Sequence, residues 1–69
     1  MSIQDFRERL EGNFVPFTIR TSDGRTFNVP HRDFMMLTPK RVVVSNSEGY
    51  VSILDPLHIV SIEEAVANT

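Results

Sequence analysis

The dipeptide Asp23-Gly24 lies between two short stretches, residues 15–20 and 26–29, in which apolar and polar residues alternate. A two-residue period is typical of a β-strand with one buried face. Asp-Gly is a dipeptide that favours the positive backbone angles of a tight hairpin turn. The sequence therefore predicts an antiparallel β-hairpin here, and this hairpin restricts the possible folds more than any other local feature.

A short amphipathic helix is predicted before the hairpin, over residues 2–11. Ile3, Phe6 and Leu10 recur at helical spacing. Ser2 is a good N-cap residue, and Asp5 three residues later gives a capping-box pattern with Asp where Glu or Gln is usual. A glycine follows the last apolar residue where a C-cap glycine is expected. A helix this short is not stable alone in water, so we expect it to pack on the rest of the chain.

Further short strands follow the hairpin at close spacing. Residues 34–37 fit either a strand or one helical turn, and the three consecutive valines 42–44 predict a strand buried on both faces. The remaining predicted strands are residues 41–45, 50–54 and 58–62. Close strand spacing favours a barrel or sandwich.

The predicted fold is mainly β: an N-terminal α-helix followed by a strongly bent, five-stranded antiparallel small barrel. An open five-stranded sheet with the helix on one face is the alternative. We expect a single domain over 1–69, with the barrel at 14–62 and a polar tail at 63–69.

The length of the chain makes self-association the expected source of additional stability. A domain of 69 residues has a marginal core, and small domains usually add disulfides, a metal or a partner subunit. The chain has no cysteine and only two histidines, so neither a disulfide nor a structural metal site is expected. No cofactor is predicted, and a homo-oligomer is expected.

The predicted subunit contact lies on residues 50–62. Two stretches there are apolar on both alternations and lack the internal lysine or proline that protects an exposed strand edge. The predicted interface residues are Tyr50, Val51, Ile53, Ile59, Val60 and Ile62.

No arrangement of residues points to catalysis, which requires a nucleophile with a base, paired carboxylates or a metal. His31 and Asp33 are the nearest approach to an acid/base pair, but we favour the interpretation that Asp33 caps a turn while His31 and Arg32 are solvated. The chain is therefore predicted not to be an enzyme. The candidate ligand-binding or nucleic-acid-binding residues are Arg25, His31, Arg32, Asp33, Arg41 and His58.

The formal net charge is −2, so binding to nucleic acid would require the cations to gather on one face. No apolar run approaches the length of about 20 residues that spans a bilayer, and the first residues do not resemble a signal peptide. No membrane association is expected, and a cytoplasmic location is predicted.

The order of these elements resembles the Sm-like family of small barrels, which build RNA-binding rings and include the bacterial host-factor RNA chaperone. Residues 23–27 are similar to the hairpin of the first Sm motif, residues 33–37 resemble its Asp-hydrophobic-Met-Asn-Leu run, and residues 52–62 stand where the second motif lies. The chain also looks like short uncharacterised bacterial proteins with the same Asp-Gly-Arg hairpin.

The resemblance implies a small barrel and a ring in which neighbouring subunits pair their last two strands. It does not imply uridine binding, because Met36 replaces the base-contacting Asn and Asp55-Pro56 replaces the Arg-Gly pair. We therefore expect a non-catalytic, homo-oligomeric binding or scaffolding module with RNA as a candidate partner. The alternative is a protein-interaction or regulatory module that uses an open sheet edge.

Overall fold

A computed structural model describes residues 1–64 as one helix and six strands in two antiparallel sheets. The strand order is β2-β1-β6 in the first sheet (sheet A) and β3-β4-β5 in the second (sheet B). The elements are α1 (Ile3–Leu10), β1 (Phe17–Thr21), β2 (Thr26–Val29), β3 (Met35–Leu37), β4 (Val42–Ser45), β5 (Val51–Leu54) and β6 (Ile59–Glu64), with 3-10 turns at Arg32–Phe34 and Pro56–His58. The prediction of a mainly β chain with an N-terminal helix is confirmed.

The strand count differs from the prediction of five strands in a barrel. Residues 1–64 form six strands, and their hydrogen bonds do not join the two three-stranded sheets into a closed barrel. The extra strand is β3, which corresponds to the predicted segment 34–37. Pro30, which has no N–H to donate to a ladder, and the 3-10 turn after it separate β3 from β2.

The helix begins at a capping box, as its sequence predicts. The Asp5 backbone N–H donates to the Ser2 hydroxyl at 3.3 Å, and the Ser2 backbone N–H donates to the Asp5 carboxylate at 3.0 Å. This second bond and a further one from the Ser2 hydroxyl lower the pKa of Asp5. Gly12 follows the C-cap with a φ of +66°, which ends the helix in the left-handed conformation expected for glycine at this position.

The predicted hairpin forms with only its glycine in the left-handed region. Gly24 has a φ of +86°, and its N–H donates to the Thr21 carbonyl at 3.0 Å. The Thr21 N–H donates to the Arg25 carbonyl at 3.0 Å and closes the loop. Asp23 keeps a negative φ, so the loop is longer than the tightest two-residue turn.

The core takes alternate residues from both sheets and one from the helix. Phe6 is fully buried, and the inward faces of β1 and β4 bury every second residue. Val43 is only half-buried, so the prediction that residues 41–45 are buried on both faces is wrong: no further layer from residues 1–64 covers the outer side of β4. The buried apolar residues are Phe6, Phe17, Ile19, Val29, Met35, Val42, Val44, Leu54 and Ile59.

The last strand extends two residues past its predicted end. Glu63 pairs with Thr18 and Glu64 with Phe17 in the ladder between β1 and β6. Arg20 forms an ion pair with Glu63 at 3.1 Å, which lowers the carboxyl pKa, and Arg9 of the helix forms one with Glu64 at 3.1 Å. The remainder of the predicted tail lies outside the described residues. Within residues 1–64, no helix has the length and apolar character needed to cross a membrane.

Replacing Phe6 with alanine is expected to destabilise the domain by about 3–5 kcal/mol, because it leaves a cavity where a large side chain was fully buried. This amounts to a large part of the stability of a typical small domain. Urea unfolding followed by circular dichroism measures the loss. Gln4→Ala, at an exposed position of the same helix, is the control and should shift the unfolding free energy by less than about 0.5 kcal/mol. Equal effects of the two substitutions would contradict the packing of α1 on the core.

Candidate functional site

Three of the six predicted ligand-binding residues line a single cavity. Arg25 comes from the β1–β2 loop, Arg41 precedes β4, and His58 ends the second 3-10 turn. The cavity has a volume of about 440 Å³, and Ile53 and Leu54 add apolar surface to its lining. Segments that are distant in sequence therefore bring two arginines and a histidine to one space, which we call the arginine cavity.

A backbone hydrogen bond holds two sides of the arginine cavity together. The Ser22 N–H in the hairpin loop donates to the His58 carbonyl at 2.8 Å. The 3-10 turn on the other side is capped by Asp55, whose carboxylate accepts from the Leu57 N–H at 3.0 Å. Pro56 is buried at the start of this turn, which suits proline because no N–H is required there. The loop and the turn are thus fixed to each other.

Arg25 is held in place by its neighbours in the hairpin. Its Nε donates to the Asp23 carboxylate at 2.8 Å, and its guanidinium lies over the Phe27 ring, 5.3 Å from the centroid. Both partners of the ion pair are more than half exposed, so the pair adds little to stability. It nevertheless orients the guanidinium and leaves its Nη groups available as donors.

Asp23 is committed to the hairpin. Its carboxylate accepts from the Thr21 hydroxyl and from the Arg25 backbone N–H at 3.4 Å. The Thr21 hydroxyl bond, followed by the bonds and charge of Arg25, lowers the pKa of the Asp23 carboxyl. Thr21 is the one buried polar residue of the described chain. The hairpin loop therefore favours the ionised form of Asp23.

Arg41 sits at the end of a turn that fixes its backbone. The backbone N–H groups of Arg41 and Lys40 donate to the Thr38 hydroxyl at 2.8 and 3.3 Å. The Arg41 guanidinium donates through Nη1 to the Lys40 carbonyl at 2.9 Å. Within residues 1–64 it forms no ion pair with a carboxylate, so Nε and Nη2 remain available for a ligand.

The other three predicted ligand-binding residues, His31, Arg32 and Asp33, lie away from the arginine cavity on the first 3-10 turn. The Arg32 guanidinium donates to the Gly12 carbonyl at 2.6 Å and lies 5.9 Å from the Phe14 ring centroid, so it is anchored although the residue is exposed, as predicted. Asp33 does not cap the turn as expected, because it lies within the turn and His31 occupies the cap position. Within residues 1–64, no hydrogen bond joins His31 to Asp33.

A larger cavity, of about 540 Å³, lies between β2 and the β4–β5 hairpin. It is lined by aromatic, hydroxyl and amide side chains, including Phe27, Phe34, Tyr50 and Asn46. No charged residue of the described chain lines it. Tyr50 is the one side chain among its described lining residues that belongs to a general acid/base type. Residues 1–64 also contain no group of three His, Asp or Glu side chains that could hold a metal ion.

The two sheets differ sharply on their outer faces. The paired residues on the outer face of sheet A are all polar, and two of them, Thr18 and Ser61, are half-buried while the others, Arg20, Thr26, Asn28 and Glu63, are exposed. On sheet B, Met36 pairs with Val43, and Val43 pairs in turn with Ile53, so three apolar side chains stand side by side. Val51 lies on the same face because it is two residues from Ile53. We call these four residues, Met36, Val43, Val51 and Ile53, the apolar face.

The predicted interface residues fall into two groups. Tyr50, Val51, Ile53 and Val60 are exposed, at 71%, 61%, 69% and 57%. Ile59 is buried in the core and Ile62 packs partly against it, so neither side chain is available to a second chain as a main contact. The sequence interpretation missed Met36 and Val43, because their face becomes evident only when the strand register is known.

Comparison with known proteins finds no matching protein-family model, no matching curated protein and no matching solved structure. The resemblance to Sm-like proteins stays a prediction.

Acid is expected to weaken the hairpin through Asp23. A carboxyl whose pKa is lowered on folding stabilises the folded state above the ordinary aspartate pKa of about 3.9, and that stability is lost as the pH falls through the lower folded value. Asp23→Asn should therefore lose less stability than the parent between pH 5 and pH 2, measured by urea unfolding. Asp33→Asn is the matched control at an exposed position and should follow the parent. Identical pH profiles for all three proteins would show that Asp23 does not contribute in this way.

Proposed function

We propose that the chain is a non-catalytic binding module that works as a homo-oligomer. The observation that carries this proposal is the contrast between the outer faces of the two sheets. The paired residues on the outer face of sheet A are polar, whereas sheet B presents Met36, Val51 and Ile53 at exposures of 59%, 61% and 69%. Contiguous exposed apolar side chains on a small protein mark an interaction surface.

The strands at the predicted contact support head-to-tail association. β5 pairs only with β4, and β6 pairs only with β1, so both are edge strands with an unpaired side within residues 1–64. An unpaired edge is a template for a strand of another chain. When β5 of one copy pairs with β6 of the next, each copy uses two different surfaces, and repeated contacts of this kind close into a ring or continue as a filament.

The second copy is favoured as the occupant because the monomer is small. Nine apolar side chains form its buried core, and the chain has no cysteine for a disulfide. Small domains with so little core are commonly stabilised by association. Covering the apolar face and pairing β5 would add the layer that the monomer lacks.

We further propose that the two sheets together form the small, strongly bent barrel of Sm-like or SH3-like proteins.

Strand addition by a different protein is the second candidate function. It uses the same unpaired edge of β5, where backbone hydrogen bonds supply affinity and the neighbouring apolar side chains supply specificity. It differs from self-association in one measurable respect: the purified chain would be a monomer.

RNA is the candidate ligand of the oligomer, since Arg25 and Arg41 would be repeated around a closed ring.

Replacing Ile53 with glutamate is expected to dissociate the oligomer. Ile53 is 69% exposed in the single chain, so the charge should leave the monomer fold intact while it is costly in an apolar contact. Light scattering coupled to size exclusion, at tens of micromolar, should show a multiple of the 7.9 kDa chain mass for the parent and one chain mass for the variant.

Thr26→Glu is the matched control, because it places the same charge on an exposed strand position of the polar outer face of sheet A. It should keep the mass of the parent. A parent protein that is monomeric at these concentrations would refute self-association and favour strand addition by another protein. A parent oligomer whose mass is unaffected by Ile53→Glu would place the contact elsewhere.

A further inference from the structure

We infer that the arginine cavity binds the phosphate group of a phosphate ester. The inference deepens the proposed binding function by naming the ligand chemistry, and it does not depend on self-association. Two arginines line this one cavity, and arginine is the side chain most suited to phosphate oxygens, because its guanidinium presents several N–H groups in a fixed plane. Arg25 and Arg41 come from separate segments of the chain, so the local sequence around either arginine does not explain why both line one cavity.

The acidic residues around the cavity are already engaged. The Asp23 carboxylate accepts from Thr21 and Arg25, and Asp55 accepts from the Leu57 N–H to cap the 3-10 turn. The formal charges of the lining arginines and aspartates cancel, so the selectivity for phosphate comes from directed N–H donors rather than from a net positive field. The donors left over are Nη groups of Arg25 and the Nε and Nη2 of Arg41.

The two arginines have different parts in this site. Arg25 is held by Asp23 and stacked over Phe27, so its guanidinium is positioned before a ligand arrives. The Arg41 side chain donates a hydrogen bond to the Lys40 carbonyl and forms no ion pair within residues 1–64, so a phosphate would be its first anionic partner. Because the Arg25 guanidinium is already positioned, binding a ligand costs less side-chain entropy than it would if both arginines had to be ordered.

The rest of the lining suits the organic part of an ester. Ile53 and Leu54 contribute apolar surface, and Ser22 and His58 contribute polar groups. A volume of about 440 Å³ falls within the range of small-molecule sites, roughly 300–1,000 Å³. This space is larger than a phosphate ion needs and fits a ligand with a sugar or base attached. A free nucleotide and a single strand of RNA both carry such a phosphate, and the test below distinguishes them.

The test is a titration of the full chain with four probes, in which NMR chemical shifts of the backbone amides report binding. Inorganic phosphate, uridine monophosphate and oligouridine should each shift the amides of residues 22–25, 41, 55, 57 and 58, whereas uridine should not. Equal affinity per site for the nucleotide and for oligouridine assigns a free nucleotide as the source. Oligouridine that binds at least tenfold more tightly assigns an RNA strand. Shifts caused equally by uridine, or no shifts with any phosphate probe, would overturn the inference.

Arg41→Gln tests the site without disturbing its scaffold, because the backbone bond from residue 41 to Thr38 does not involve the side chain. Loss of a charge-assisted donor pair should weaken uridine monophosphate binding about tenfold or more. Arg41→Lys keeps the charge but not the planar donors, so its affinity for uridine monophosphate should lie between that of the parent and that of Arg41→Gln. Arg7→Gln makes the same charge change at an exposed helix position and should leave affinity unchanged.

Equal affinities for Arg41→Gln and Arg7→Gln would overturn the inference. Light scattering on the same samples separates this result from failure of the oligomer. A variant that loses phosphate binding but keeps the mass of the parent reports on the arginine cavity and not on self-association. A parent that is monomeric but still binds phosphate contradicts self-association and leaves the phosphate site supported.

Discussion

The burial of Phe6 between the helix and the two sheets is the contact on which the rest of the structure depends. Phe6 is the helix's one buried side chain, and the helix is too short to persist without it. With Phe6 in place, the inward residues of β1 and β4 have a common space to fill. The chain has enough apolar side chains for this one space but too few layers to cover the outer sides of its sheets. The apolar face of sheet B is the consequence.

The same shortage of layers explains why the candidate sites lie at the margins of the fold. The arginine cavity forms where the β1–β2 loop meets the second 3-10 turn, and the bond from Ser22 to His58 joins the two. Ile53 belongs both to the lining of this cavity and to the apolar face. A second copy seated on that face would therefore border the cavity, so subunit contact and ligand binding would influence each other through a shared side chain.

Local patterns in the sequence predicted the local structure well. The capping box at Ser2, the glycine after the helix and the Asp23-Gly24 hairpin each have a cause within a few residues, and each is present. The separate β3 strand was harder to predict, since three apolar residues after a proline fit either a strand or a helical turn. The burial of valines 42–44 was misjudged because a run of β-branched residues does not reveal how many layers will cover a strand.

The candidate site was only partly predictable for a related reason. Arg25, Arg41 and His58 were chosen as residue types at turns, but their meeting depends on contacts between segments far apart in the chain. His31, Arg32 and Asp33 were adjacent in sequence and suggested a cluster, yet Arg32 is anchored to Gly12 and the three form no common site with the others. Met36 and Val43 required the register between β3, β4 and β5 before their shared face could be seen.

The central proposal is that β5 and β6 are edge strands only in the single chain, because β5 of one copy pairs with β6 of the next in the oligomer. Amide hydrogen exchange at residue resolution tests it directly, with the edge strands β2 and β3 as the internal comparison. The account predicts slow exchange for the amides of β5 and β6 that point away from β4 and β1, with protection that decreases on dilution. Exchange of those amides as fast as that of the outward amides of β2 and β3, at every concentration, would contradict it.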